Sequence, residues 1–194
     1  MSKIVIRLEH DYDAENPCDY DGWKAYSFSN RHANFKHPDE FEDDEDLERR
    51  LKIGLAFKLA YFEHGQCEWT LSGEGYQCRW DSGSFAGLLI WENAEDDIGA
   101  VTVEDRRKDA KAFLETYTAW CNGYVFGYVA SRVTDCECCG QEEPEGEHLD
   151  SCWGFIGHEA LFEWIRESMD LGGETVEFRG EASYLADYWK ELVA

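Results

Sequence analysis

The segment richest in metal-ligating side chains is Cys136-Glu137-Cys138-Cys139-Gly140, followed by His148 and Cys152. Cys136 and Cys139 form a C-x-x-C-G knuckle, the tight turn that lets two thiolates bind one tetrahedral Zn²⁺. His148 and Cys152 follow within thirteen residues of Cys139. Cys136, Cys139, His148 and Cys152 are therefore the expected ligands of a structural zinc, with Cys138 spare or an alternative ligand. Four protein ligands leave no position for water, so such an ion holds the fold and does not catalyse. The competing reading is a loop of free thiols in a reducing compartment. Cys18, Cys67, Cys78 and Cys121 read as small buried apolar residues.

The second chemistry is that of crowded carboxylates. Asp39, Glu40, Glu42, Asp43, Asp44, Glu45, Asp46 and Glu48 put eight acids into ten residues. A second group is Glu92, Glu95, Asp96 and Asp97, and a third is Glu142, Glu143, Glu145 and Glu147. The whole chain carries 42 acidic against 18 basic residues, a formal net charge of −24. That charge repels nucleic acid, anionic membranes and phosphorylated substrates, and attracts basic partners over a Debye length of about 8–10 Å. Spread evenly over the ~9,400 Å² expected for this mass, it amounts to roughly one charge per 400 Å². A DNA duplex carries about one per 100 Å² of its side. Only clustering brings the protein near that density, and the three groups are clusters. Asp39, Glu40, Glu42, Asp43, Asp44, Asp46 and Glu48, with Glu92, Glu95, Asp96 and Asp97 as a second edge, are the expected partner-binding residues.

Other candidate chemistry is sparse. Asp11, Asp13, Glu15, Asp19 and Asp21 crowd one loop without the glycine and terminal Glu of an EF-hand, and read as a solvated loop. His32 and His37, beside Arg31 and Asp39, offer an acid–base pair with no nucleophile at recognisable spacing. No phosphate-binding glycine loop, G-x-S-x-G or H-E-x-x-H is present.

The elements that must position these groups follow from periodicity. Residues 2–8 alternate as an opening strand, and 23–28 as another. Leu47, Leu51, Leu55, Leu59 and Phe62 recur at helical spacing, which predicts one helix from Asp43 or Asp44 to about Phe62. Three β segments follow, GQCEWTLSG, EGYQCRW and FAGLLIWE, separated by turn residues as in an antiparallel meander. Helices are predicted over 103–121, 158–171 and 184–193, with strands over 123–132 and 175–178. A polar loop at 134–150 leads to a short run at 152–156. Strands and helices mix without strict βαβ alternation. The expected architecture is α+β: one domain over 1–194, with a mainly antiparallel central sheet, three to four helices and a zinc-knuckle loop at 134–152. The first residues, MSKIVIRLEHDYD, lack the apolar stretch of a signal peptide, and no apolar run approaches the ~20 residues of a membrane span. Together these predict a cytoplasmic protein with reduced thiols.

Three stretches carry a resemblance. They are Asn16-Pro17 with Asp21-Gly22-Trp23, Asn30-Arg31-His32 and His37-Pro38; then Cys78-Arg79-Trp80-Asp81-Ser82-Gly83-Ser84-Phe85-Ala86-Gly87; then Gly123–Tyr128 leading to Asp150-Ser151-Cys152-Trp153-Gly154-Phe155-Ile156-Gly157. Together they resemble a widespread family of small acidic accessory proteins of tailed bacteriophages, with W-D-S-G-x-x-G and D-S-C-W-G-F-x-G motifs. This chain departs by one inserted residue in the first motif and by Asp21-Gly22-Trp23. The family has no established activity, so the resemblance implies a setting and not a chemistry. In that setting an acidic protein occupies the nucleic-acid cleft of a host restriction, CRISPR or transcription protein. The leading expectation is thus a non-enzymatic inhibitor that mimics nucleic acid toward a basic host protein. The alternatives are a zinc-stabilised interaction module and an enzyme using His32 and His37.

Overall fold

The structure, a computed structural model, describes residues 2–41, 44–75, 82–136, 138–142 and 146–193. In chain order the elements are β1 (Ser2–His10), α1 (Pro17–Tyr20), β2 (Trp23–Ser27), α2 (Glu45–Ile53), β3 (Ala56–His64), β4 (Gln66–Leu71), β5 (Ser82–Trp91), α3 (Val103–Cys121), β6 (Val125–Thr134), β7 (Glu147–Ile156), α4 (His158–Ser168), β8 (Val176–Arg179) and α5 (Ala186–Val193). Single 3₁₀ turns lie at Pro38–Phe41, Glu95–Ile98 and Ser183–Leu185. The class is α+β and the pairing mostly antiparallel, as expected. The strands form two four-stranded sheets in place of one central sheet, and five α-helices occur among the described residues.

The chain divides into two compact units, Met1–Glu15 with Gly123–Ala194, and Asn16–Asn122. The first has strand order β7-β6-β1-β8, with β1 antiparallel to β6 and parallel to β8. Ile4, Ile6 and Leu8 alternate onto one face of β1 and are fully buried with Phe126, Tyr128 and Ala130 of β6. Leu161, Phe162 and Ile165 of α4 and Trp189 of α5 close this core.

The second unit has the all-antiparallel order β2-β5-β3-β4. Its sheet is covered on both faces, so β5 reads as the unbroken apolar run Leu88-Leu89-Ile90-Trp91. Phe113, Leu114 and Tyr117 of α3 pack on one face with Trp23, Leu59, Trp69 and Leu89. Phe41, with the partly buried Leu47 and Leu51 of α2, packs on the other against Ala56, Leu88 and Ile90.

Three expectations are corrected here. The helix predicted to reach Phe62 stops at Ile53, and residues 56–64 are strand β3. Gly54 takes the left-handed conformation (φ 76°) as the C-cap and ends the helix. The four-residue leucine spacing then runs on by coincidence, because Phe57 and Leu59 obey the strand period of two. Once β3 is a strand, β5 pairs with it and not with β4, so the meander is replaced by a β3–β4 hairpin flanked by β5. Most of the predicted second meander strand, residues 76–80, lies outside the described residues, as does Asp81. Likewise the loop predicted over 134–150 is shorter, since β7 already begins at Glu147.

Candidate functional site

The first acidic cluster is built around the start of α2. Asp44 caps the helix, its Oδ1 accepting from the amides of Asp46 (3.0 Å) and Leu47 (3.2 Å). Asp46 is gripped by two guanidiniums, Arg49 Nε at 2.6 Å and Arg50 Nε at 2.7 Å. Their hydrogen bonds hold its carboxyl down to about 2. Glu40 Oε1 accepts from the His37 amide at 2.8 Å, and Asp39 lies 3.2 Å from His37 Nδ1. Four of the clustered acids thus have partners in the fold. Glu45 and Glu48, in the first turn of α2, have no ion pair among the described residues. Glu42 and Asp43 lie outside the described residues.

The second group meets the first. Arg49 donates to Asp46 and also reaches Glu95 (3.5 Å), while Arg106 approaches Glu95 at 3.3 Å. Asp96 and Asp97 follow Glu95 in the same 3₁₀ turn. Glu92 accepts from the Tyr26 hydroxyl at 2.5 Å. Arginines are interleaved, so the acidic face is neutralised at Asp46 and Glu95 and anionic at Glu45 and Glu48. The third group lies in the other unit, and its two described members are paired. Glu142 is bound by Arg179 (2.8 Å) and Lys3, whose hydrogen bonds hold its carboxyl down to about 2, and Glu147 by Arg132 at 2.7 Å. Glu143 and Glu145 lie outside the described residues.

The expected zinc ligands are not brought together as a set. Cys136, Cys138 and Cys139 converge, their sulfurs all within 4.8 Å of one another at the tip of the β6–β7 hairpin. The tip is a tight turn: Cys136 N–H donates to Gln141 O (2.7 Å), Gly140 N–H to Cys136 O (2.8 Å), and Gly140 has φ 70°. A hydrogen bond from Cys138, supported by the amides of Cys138 and Cys139, lowers the Cys136 thiol to about 7. His148 and Cys152 are carried away by the β ladder. They pair with Ser131 and Tyr128, five and eight residues back along β6 from Cys136, or about 16 and 26 Å at ~3.3 Å per residue. His148 Nε2 instead lies 3.3 Å from Ser151 Oγ, and Cys152 packs against the apolar core. Cys138, read as spare or an alternative ligand, is a member of the cluster; three thiols within four residues were the available signal.

The two histidines do not share a cavity. His37 is exposed beside Asp39. His32 packs against Tyr61 (centroids 4.5 Å apart, rings tilted by 59°) and meets Trp69 edge-on, in a cleft of about 670 Å³ also lined by Glu63, Cys67, Cys121 and Asn122. Burial lowers its pKa, so the ring is neutral at pH 7. In the same cleft Cys121 donates to Cys67 and lowers the Cys67 thiol. Asn122 clamps the Cys67 backbone through both its N–H and C=O, at 2.8 Å each. Cys67 and Cys121 are therefore a facing pair of thiols, a role their separation in the chain conceals.

Most of the D-S-C-W-G-F-x-G stretch is part of β7. Asp150 accepts from the buried Tyr128 hydroxyl across the ladder. Trp153 and Gly154 (φ 86°) form a bulge opposite Gly127. A β-carbon at Gly127 would lie 2.1 Å from the Trp153 indole, so glycine is needed where the ring lies on the strand. The Cys78–Asp81 part of the other motif, with Trp80, lies outside the described residues.

No family model matches the chain, and neither a curated protein nor a solved structure does. No helix among the described residues is long and apolar enough to cross a membrane.

Proposed function

We propose that the chain is a non-enzymatic acidic accessory protein, of the kind tailed phages encode, that works in the host cytoplasm. It binds a basic host protein and blocks its access to nucleic acid. The observation that carries this reading is the meeting of two acidic groups around Arg49, with Glu45 and Glu48 left without counter-ions among the described residues. Carboxylates in that state gain most from a Lys/Arg surface, because no internal pair must first be broken. The test follows from the division of labour among the acids. Asp44 and Asp46 support the helix, so the informative variant is Glu45→Gln/Glu48→Gln/Asp96→Asn/Asp97→Asn. Host proteins captured at roughly 50 mM salt should elute at lower salt from this variant than from the wild type, and a DNA duplex should displace them more readily. Identical capture and elution would reject the acidic face as the contact.

The convergence of Cys136, Cys138 and Cys139 favours a second reading, a zinc-binding hairpin tip. Three thiolates would hold the ion and leave its fourth position to water or to a residue of another protein. Stoichiometric zinc in the purified protein, lost in Cys136→Ser/Cys139→Ser, is the expected result.

A further inference from the structure

We propose that the partner segment is amphipathic, a basic stretch carrying an apolar side chain that enters a cleft beside α2. This rests on the acidic-face reading and adds what lies next to the acids. None of the residues of α2 is fully buried, although Leu47 and Leu51 face the sheet. Between helix and sheet lies a cleft of about 770 Å³, with Phe28, Phe41, Leu47, Leu51, Phe85 and Leu88 in its walls. Phe85 is 52% exposed and meets Phe28 edge-on at 5.1 Å. Asp44, Glu45 and Glu48 also line the cleft, and Lys58 is the one cation among its described residues. The Lys58 ammonium sits 5.2 Å from the Phe85 ring centre, so it is already engaged with the wall.

An apolar floor beside a carboxylate lip is selective in both respects. It rejects nucleic acid, acidic peptides and a second copy of this chain, each of which brings negative charge to Glu45 and Glu48. A purely polybasic segment satisfies the lip but leaves the phenylalanines in water. A segment with one aromatic or aliphatic residue between lysines or arginines satisfies both. Its buried anchor should add roughly 10- to 100-fold to the affinity.

The experiment uses fluorescence anisotropy with two labelled peptides of equal charge, amphipathic GKKLFKKILKK and polar GKKSGKKSSKK, on the full chain. The wild type should bind the first at least about ten-fold more tightly. Phe85→Ala and, separately, Leu47→Ser should bring the two affinities together, with circular dichroism checking that each variant is folded. Glu45→Gln/Glu48→Gln should weaken both peptides. Equal binding of the two peptides by the wild type, no binding of either, or a preference that survives both cleft variants would overturn the cleft as the anchor site. The acidic-face reading would fail separately, on unchanged host-protein capture by the four-site charge variant.

Discussion

Asp44, Glu45 and Asp46 are consecutive carboxylates with three different jobs. The Asp44 cap is worth about 0.5–2 kcal/mol, so Asp44→Ala should lower unfolding stability by that amount, while Glu45→Gln should stay within about 0.5 kcal/mol in chemical denaturation. Asp46 is held below its ordinary value by Arg49 and Arg50. Its depressed pKa means that its contribution is full above the unfolded value of about 3.9 and disappears as pH falls through about 2. The Tm gap between wild type and Asp46→Asn should therefore be constant above about pH 5 and close in acid. Cys136 is the thiol lowered to about 7. Its alkylation by iodoacetamide, followed by mass spectrometry, should reach half its maximal rate near pH 7, and Cys138→Ala should move that midpoint upward by removing the donor. The C-x-x-C-G turn was legible in the residues because its geometry is local. The part played by Cys138 stayed open between spare and alternative ligand, since ligand spacing rules look three residues ahead and this turn also brings in the sulfur two residues on.

At the level of elements, α3 was readable to its ends because Thr102 caps it and its apolar period is undisturbed. The α2–β3 join was not, because leucines at 47, 51, 55 and 59 keep one spacing across a change of structure. Gly54 was the mark that separates them. Replacing it with Ala should cost about 1–2 kcal/mol, since the left-handed backbone there disfavours a β-carbon. Leu59→Ala, at a position with no exposure in the strand, should cost about 2–5 kcal/mol, and Leu51→Ala on the half-exposed helix clearly less. Equal losses would indicate a single helical stripe. The same limit hid the candidate sites. The β6–β7 register separates His148 and Cys152 from the knuckle, and the cleft walls come from segments as distant as Phe28 and Phe85. Pairing register and long-range packing leave no short-range trace in a chain.

For the whole molecule, a net charge of −24 means that self-repulsion outweighs the attraction within its ion pairs. Adding sodium chloride up to about 0.3 M should therefore raise Tm, as screening relieves the repulsion. A falling Tm would mean that the Arg49, Arg106 and Arg179 pairs dominate. The connectivity has a further outcome in time. Strand β1 is the first element, yet its antiparallel partner β6 runs from residue 125, so His10 waits for Phe126. A ribosome adding about 5–20 residues per second needs roughly 6–23 seconds to cover that interval. Throughout it Ile4, Ile6 and Leu8 have no ladder to join, while the inserted 16–122 unit emerges with its own sheet. On the ribosome the 16–122 unit is thus free to fold before β1 finds its ladder.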